Sequence, residues 1–222
     1  MTLATVLAGM SIGSALFNDG PIANIVEARQ SWPKQYAKQM NKYFLIAPTI
    51  GITLGATIAG VMLKSGRRKA MLVFPLIGVL GSVLSVLDSY TVMILGKFLF
   101  GLGAGVCITV APKVLEETIP PEYFDKFGFG AMTNVGVDIM ILLNTIMVLL
   151  MPQEGHKWPT KDGKVQVTKE ILAQSDLYKY LYLVPVPLFG IAFLLAIMCF
   201  RRETPGFYLL KKNKEQAVRA LR

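Results

Sequence analysis

Residues 60–70, GVMLKSGRRKA, set four basic side chains, Lys64, Arg67, Arg68 and Lys69, in one short connection between two long apolar runs. On its own such bunching reads as a marker of the membrane side that the connection faces. Two more ionisable groups interrupt apolar runs, Lys97 in MILGKFLFG and Asp138 in VGVDIMIL. A charge at membrane depth is costly, and it points to a proton-coupling site, a substrate contact or half of a buried pair. Lys97 is the only basic residue well inside an apolar run, which makes it the candidate partner of Asp138. Cys107 and Cys199 also lie in apolar runs and read as inert, packed thiols. His156 stands alone in a polar loop, so no metal-ligand spacing is present. There is no nucleophile–base pair either, and GLGAG at 101–105 sits inside an apolar run, where it serves packing and not phosphate binding. The sequence therefore reads as a non-enzyme without cofactor or metal.

The elements that position these groups are membrane helices. Of 222 residues, 53% are hydrophobic and only 17% charged, and the apolar residues arrive in blocks. About 20 such residues at 1.5 Å each cross a bilayer core, so the pattern predicts an all-α polytopic membrane protein. Six spans are expected: 2–18, with a continuation to 26 across Asp19-Gly20-Pro21, then 43–63, 70–87, 90–112, 127–151 and 180–200. Residues 1–200 would form the six-helix bundle and 201–222 a basic amphipathic tail. The opening MTLATVLAGMSIG lacks a basic leader region and reads as the first span itself. Gly51 and Gly55 on the second span, and Gly101, Gly103 and Gly105 on the fourth, form smooth ridges. Small residues at such spacing let helix backbones approach closely in lipid, where burial alone supplies little drive.

The net charge is +9, and its basic residues sit in inter-span loops and the tail. Anionic lipid headgroups or other membrane subunits are the expected partners, not nucleic acid. Segments 64–69, 113–126 and 201–222 hold 13 Lys and Arg, against nine in 19–42 and 152–179. The first set is expected on the cytoplasmic side or its equivalent, with both termini there. Trp32 and Trp158 fall on the other side as interfacial anchors. Plasma membrane, vacuole and mitochondrial inner membrane all remain compatible.

Four segments together resemble the N-terminal half of a sugar-porter transporter of the major facilitator superfamily. Residues 60–70 resemble the signature loop G-x-L-x-D-R-x-G-R-R-K through Gly60, Gly66, Arg67, Arg68 and Lys69. Residues 96–105 are similar to G-R-F-L-x-G-x-G-x-G, 112–120 to P-x-Y-x-x-E-x-x-P, and 202–210 to P-E-S-P-R-W/F-L-L. The resemblance implies that the loop arginines bind carboxylates at the inner ends of neighbouring helices and latch that side. Glu117 and Glu203 are the implied carboxylates, with Lys97 at the fourth-helix arginine position. It also implies that Asn134 stands where the fifth helix presents a sugar-binding Gln. Asp19 is similar to the acid on the first helix of proton-coupled members.

Departures from the pattern fall on functional positions. Lys64-Ser65 stands where the loop has Asp-Arg, Lys97 and Gly206 replace arginines, and Val114 replaces a Tyr. The family has twelve spans in two halves with substrate between them, whereas this sequence resembles one half. The expected role is an accessory or structural subunit of a larger membrane complex. The alternative is a transporter of sugar or another small solute, working as a dimer of halves, with a second six-helix half, or as part of a twelve-span chain.

Overall fold

The computed structural model describes residues 2–16, 20–119, 131–152, 157–160, 163–199 and 203–221. Asp19 and His156 lie outside the described residues. Helices dominate: α1 (Thr2–Leu16), α2 (Gly20–Gln30), α3 (Lys34–Ser65), α4 (Arg67–Leu84), α5 (Tyr90–Thr118) and α6 (Met132–Leu149). After α6 come α7 (Lys169–Gln174), α8 (Leu177–Leu183), α9 (Pro185–Cys199), α10 (Pro205–Leu210) and α11 (Lys214–Leu221). The all-α expectation needs one amendment, a two-stranded antiparallel hairpin of β1 (Lys157–Thr160) and β2 (Gly163–Gln166), with Lys157 opposite Gln166.

Among the described residues, four helical stretches are long and apolar enough to cross a membrane: Gln35–Ser65, Tyr90–Thr118, Met132–Leu149 and Leu177–Met198. The first and third expected spans are not among these four. α1 has 15 residues, and α4 opens on Arg67, Arg68 and Lys69. α3 begins nine residues before its apolar run because KQYAKQMNK is built of good helix formers after Pro33. Its first turn closes where Ala37 N–H donates to Pro33 O at 2.9 Å. α8 and α9 are nearly continuous, since Val184 keeps helical angles (φ −54°, ψ −40°). Pro185 and Pro187 each lack the N–H that would bond one turn back, which interrupts the ladder there.

α5 is the axis of the bundle, packed on α3, α4 and α1. Its glycines set the distances. A methyl group at Gly101 would lie 2.2 Å from Pro48 O of α3, one at Gly105 2.3 Å from Ile52 O, and one at Gly103 2.8 Å from Phe74 O of α4. Gly51 and Gly55 face α5 in the same way, against Phe98 O and Leu102 O, each at 2.3 Å. α1 and α6 meet alike, with Gly9 on Thr133 O and Gly136 on Val6 O. Two buried serines at the end of α4 are satisfied by their own helix, Ser82 donating to Gly78 O (3.0 Å) and Ser85 to Gly81 O (2.8 Å).

The buried apolar residues form two clusters. One gathers Phe74, Phe100, Val110 and Phe189, and the other Ile25, Phe44, Met93 and Tyr178. On α5 the boundary between them falls between Met93 and Phe100, where Lys97 sits.

Candidate functional site

The basic loop is shorter than its sequence suggests, because α3 and α4 are joined by Gly66 alone. Gly66 has φ +147°, a conformation that side-chain-bearing residues rarely adopt. A methyl group there would also stand 2.7 Å from Glu203 Oε1. The sharp reversal puts Arg67 at the first position of α4, pointing into protein, and the residue is only 4% exposed.

Arg67 Nη2 pairs with Glu117 Oε1 at 2.7 Å, and the side chains are 5% and 12% exposed. Nη1 donates to Leu63 O at 2.6 Å, and the guanidinium lies over the Phe207 ring at 5.5 Å. The second oxygen of Glu117 accepts from the Thr204 hydroxyl, which itself caps α10 by accepting from Phe207 N–H at 3.4 Å. Glu203 Oε2 accepts the backbone N–H of Arg68 at 3.0 Å. A carboxylate thus occupies the start of α4, where unbonded N–H groups favour negative charge. Three helix ends, α4, α5 and α10, are tied at one point.

Several details differ from the sequence reading. The Arg68 guanidinium makes no ion pair with Glu203; its backbone does the bonding, and Arg68 Nε is buried without a partner. The loss of the loop's acid leaves no empty cap, since Glu203 from beyond α9 stands at α4's N-terminus. Gly206 is not simply a missing partner either, because a methyl group there would meet Glu117 Cδ at 2.9 Å. Lys97 does not belong to this network. It lies 20 residues from Glu117 along α5, or about 30 Å of helix.

Lys97 is 3% exposed, and its Nζ sits 4.1 Å from the Phe44 ring centre and 4.7 Å from that of Tyr182. Aromatic faces attract a cation in this geometry. Beside it is a cavity of about 20 Å³, room for about one water, whose walls include Ser14, Ser82, Ser85 and Tyr182. The expected pairing with Asp138 is absent: neither an ion pair nor a hydrogen bond joins the two among the described residues. Asn134 and Asp138 are both exposed, one turn apart on α6. Thr133, Gly136 and Met140 occupy the opposite, buried face that packs on α1. The buried amide of α6 is instead Asn144, fully enclosed with neither side-chain atom hydrogen-bonded. Sequence reasoning passed over it, although an Asn in the middle of ILLNTIM was the available signal.

At the opposite end, a second cluster joins α2, the α4–α5 turn and the start of α8. Arg29 pairs with Asp88 and with Asp176 (2.8 Å), and Lys179 with Asp176 (3.0 Å) and Asp88 (3.3 Å). The Tyr178 hydroxyl donates to Asp88 at 3.1 Å. Partial burial alone would raise the Asp88 pKa, but hydrogen bonds from Lys179 and Tyr178 and the nearby Arg29 charge hold it below the usual carboxylate range. Asp176 is held low chiefly by the Arg29 hydrogen bond, then by Lys179.

With this geometry in view, the likeness to known proteins is specific. Myo-inositol transporter 1 of Candida albicans is 27% identical over all of this chain and 36% of its own length. Hexose transporter 1 of Plasmodium falciparum is 23% identical over 99% of the chain and 44% of its own. Facilitated glucose transporter member 3 of solute carrier family 2, from Oryctolagus cuniculus, is 26% identical over 78% of the chain and 31% of its own. The chain thus spans less than half the length of these relatives. Among solved structures, the major facilitator superfamily proton:xylose symporter XylE bound to 6-bromo-6-deoxy-D-glucose superposes with a TM-score of 0.76 at 14% identity. That match covers 99% of this chain and 48% of the other. The partially occluded inward-open form of XylE from E. coli gives 0.74 at 15% identity, over 100% and 54%. These likenesses establish the major facilitator fold. The model of the Sugar (and other) transporter family matches residues 1–222, and the chain belongs to that family.

Proposed function

We propose that this chain is the N-terminal half of a transporter for a sugar or similar polyhydroxylated solute. The six expected spans would run through α1–α2, α3, α4, α5, α6 and α8–α9, the shorter α1 and the basic-headed α4 being carried across by packing on α6 and α5, and would line one wall of the substrate path against a second six-helix half. At the level of the family it is an integral membrane transport protein and not an enzyme.

The observation that carries the reading is the exposed face of α6, where Asn134 and Asp138 project away from the bundle one turn apart. An amide and a carboxylate on the outward face of an otherwise apolar helix are costly against lipid. They suit a surface that meets a hydroxyl-rich solute and a partner half. The Arg67–Glu117 pair is the natural inner latch, because an ion pair spanning three helix ends can hold one of two arrangements. The inner face would be cytoplasmic, with 201–222 as a basic tail beyond the 1–200 bundle. The accessory-subunit role draws support only from the departures from the motif pattern, and the relatives named above are transporters.

The test is uptake of labelled myo-inositol, glucose and xylose into liposomes holding the chain alone, or the chain with a second half from a related transporter. Saturable uptake of any of the three that is blocked by the unlabelled sugar supports the reading. Binding and uptake no higher than in empty liposomes in both preparations, with the protein folded, would overturn it.

A further inference from the structure

The first turns of α3 bury Ala37 and rest on Tyr90, whose hydroxyl donates to Met40 O at 2.6 Å, but their outward stripe is exposed and has a chemistry that the transport reading leaves unused. Lys38 and Lys42, with Gln35, Gln39 and Tyr43, line an open polar cleft on that stripe. Tyr43 and Ile46 then continue it into a trough between α3 and α5 walled by Ile50, Ile94, Leu95 and Phe98. Because the two share Tyr43 and Ile46, they form one groove, basic at its head and apolar below.

We propose that this groove binds one anionic phospholipid, with an acyl chain in the trough and the phosphate on Lys38 and Lys42. Depth supports the assignment. The Trp32 ring packs edge-on against Tyr90 (4.6 Å between centres) and Tyr36 (5.8 Å), and such aromatic groups sit at the headgroup level of a bilayer. From Lys42 to Ile50 on α3, and from Tyr90 to Phe98 on α5, the groove runs about 12 Å, most of the roughly 15 Å depth of one leaflet.

Charge sets the class of lipid. Among the described residues neither Lys38 nor Lys42 pairs with a carboxylate, while nearby Glu27 is engaged by Lys169 (3.6 Å) and Asn41 (3.2 Å). The positive charge at the head of the groove is therefore left for an anion. Gln39 donates to the Tyr43 hydroxyl at 3.3 Å, holding that hydroxyl at the mouth as a further phosphate donor. A zwitterionic lipid would bring its own cation toward the lysines, whereas an anionic one would not.

Native mass spectrometry of the full chain in mild detergent tests this, with phosphatidylglycerol and phosphatidylcholine of identical acyl chains. Phosphatidylglycerol should bind roughly tenfold tighter or more. Lys38→Gln with Lys42→Gln should erase that preference, Lys38→Arg with Lys42→Arg should keep it, and Ile50→Ser should weaken both lipids. Equal binding of the two lipids, or a preference that survives removal of both lysines, would overturn the proposal. Equally damaging would be displacement by water-soluble glycerophosphate at the same concentration, which would mean an anion site that takes no chain.

Discussion

Arg67 and Glu117 are 50 positions apart in the chain and 2.7 Å apart in space, both nearly enclosed by the ends of α4, α5 and α10. Breaking such a pair by neutralising one partner leaves a buried charge uncompensated, at a cost of about 3–5 kcal/mol. Glu117→Gln should lower stability by about 3 kcal/mol, read as the midpoint of thermal unfolding in detergent. Lys113→Gln nearby should change little, because its pair with Glu116 is half exposed. Equal shifts for the two variants would remove Glu117 from this role.

Gly66 combines a backbone cost with a contact cost, and the two can be separated. Gly66→Ala should lose about 1–3 kcal/mol from the strained φ, plus whatever is needed to move Glu203 from a methyl group 2.7 Å away. In a Glu203→Ala background the contact part vanishes and the backbone part stays. A double-mutant cycle in unfolding free energy should therefore show coupling between the two sites. Strict additivity would place Glu203 elsewhere.

Much of the architecture was legible in the sequence, since apolar blocks of membrane length and glycines at close spacing are dictated by lipid itself. Gly51, Gly55, Gly101 and Gly105 could be read as close-packing ridges because only small residues allow backbones that near, though that the two ridges face each other came from the fold alone. Charge pairing was less legible. Arg67 and Arg68 are adjacent and chemically alike, yet only the one that opens α4 toward the interior reaches a carboxylate, a matter of helix phase that spacing does not give. Lys97 and Asp138 illustrate the same limit. They were matched because both were isolated charges, but one points into an aromatic cage and the other away from the bundle. Arg29, Asp88 and Asp176 drew no notice because each looks like an ordinary loop charge until the fold collects them.

That outer cluster makes a pH prediction. Asp88 and Asp176 have folded-state pKa values depressed below the ordinary value near 4. Their stabilising effect is present above the unfolded pKa and is lost as pH falls through the folded one. The melting temperature should be flat from about pH 5 to 7 and drop below about pH 4. Asp88→Asn with Asp176→Asn should melt lower at neutral pH, and the gap to the parent should shrink steadily as pH falls below about 4. A constant gap at every pH would show that the carboxylate charges are not responsible.

Gly101 is the tightest of the α5 glycines against α3, so it tests backbone contact in its simplest form. Gly101→Leu must push α3 from α5 at Pro48, with overpacking of about 3 kcal/mol or more. Gly60→Leu on the same helix pair should be mild, since nothing lies within 4 Å of a methyl group there. Size-exclusion profiles in detergent should show aggregation for the first and a parent-like peak for the second.

The exposed face of α6 separates transport from stability. Asn134 and Asp138 are exposed and make no hydrogen bond or ion pair among the described residues, so replacing them should leave the unfolding free energy within about 0.5 kcal/mol of the parent. If they line a substrate path, Asp138→Asn and Asn134→Ala should each reduce sugar uptake in the reconstituted pair of halves by tenfold or more. That loss corresponds to about 1.4 kcal/mol of lost interaction. A variant that melts like the parent but no longer transports would tie the α6 face to the solute. Unchanged uptake in both variants would leave Lys97 and its serine-lined cavity as the polar group to replace next, with Lys97→Met read by the same assay.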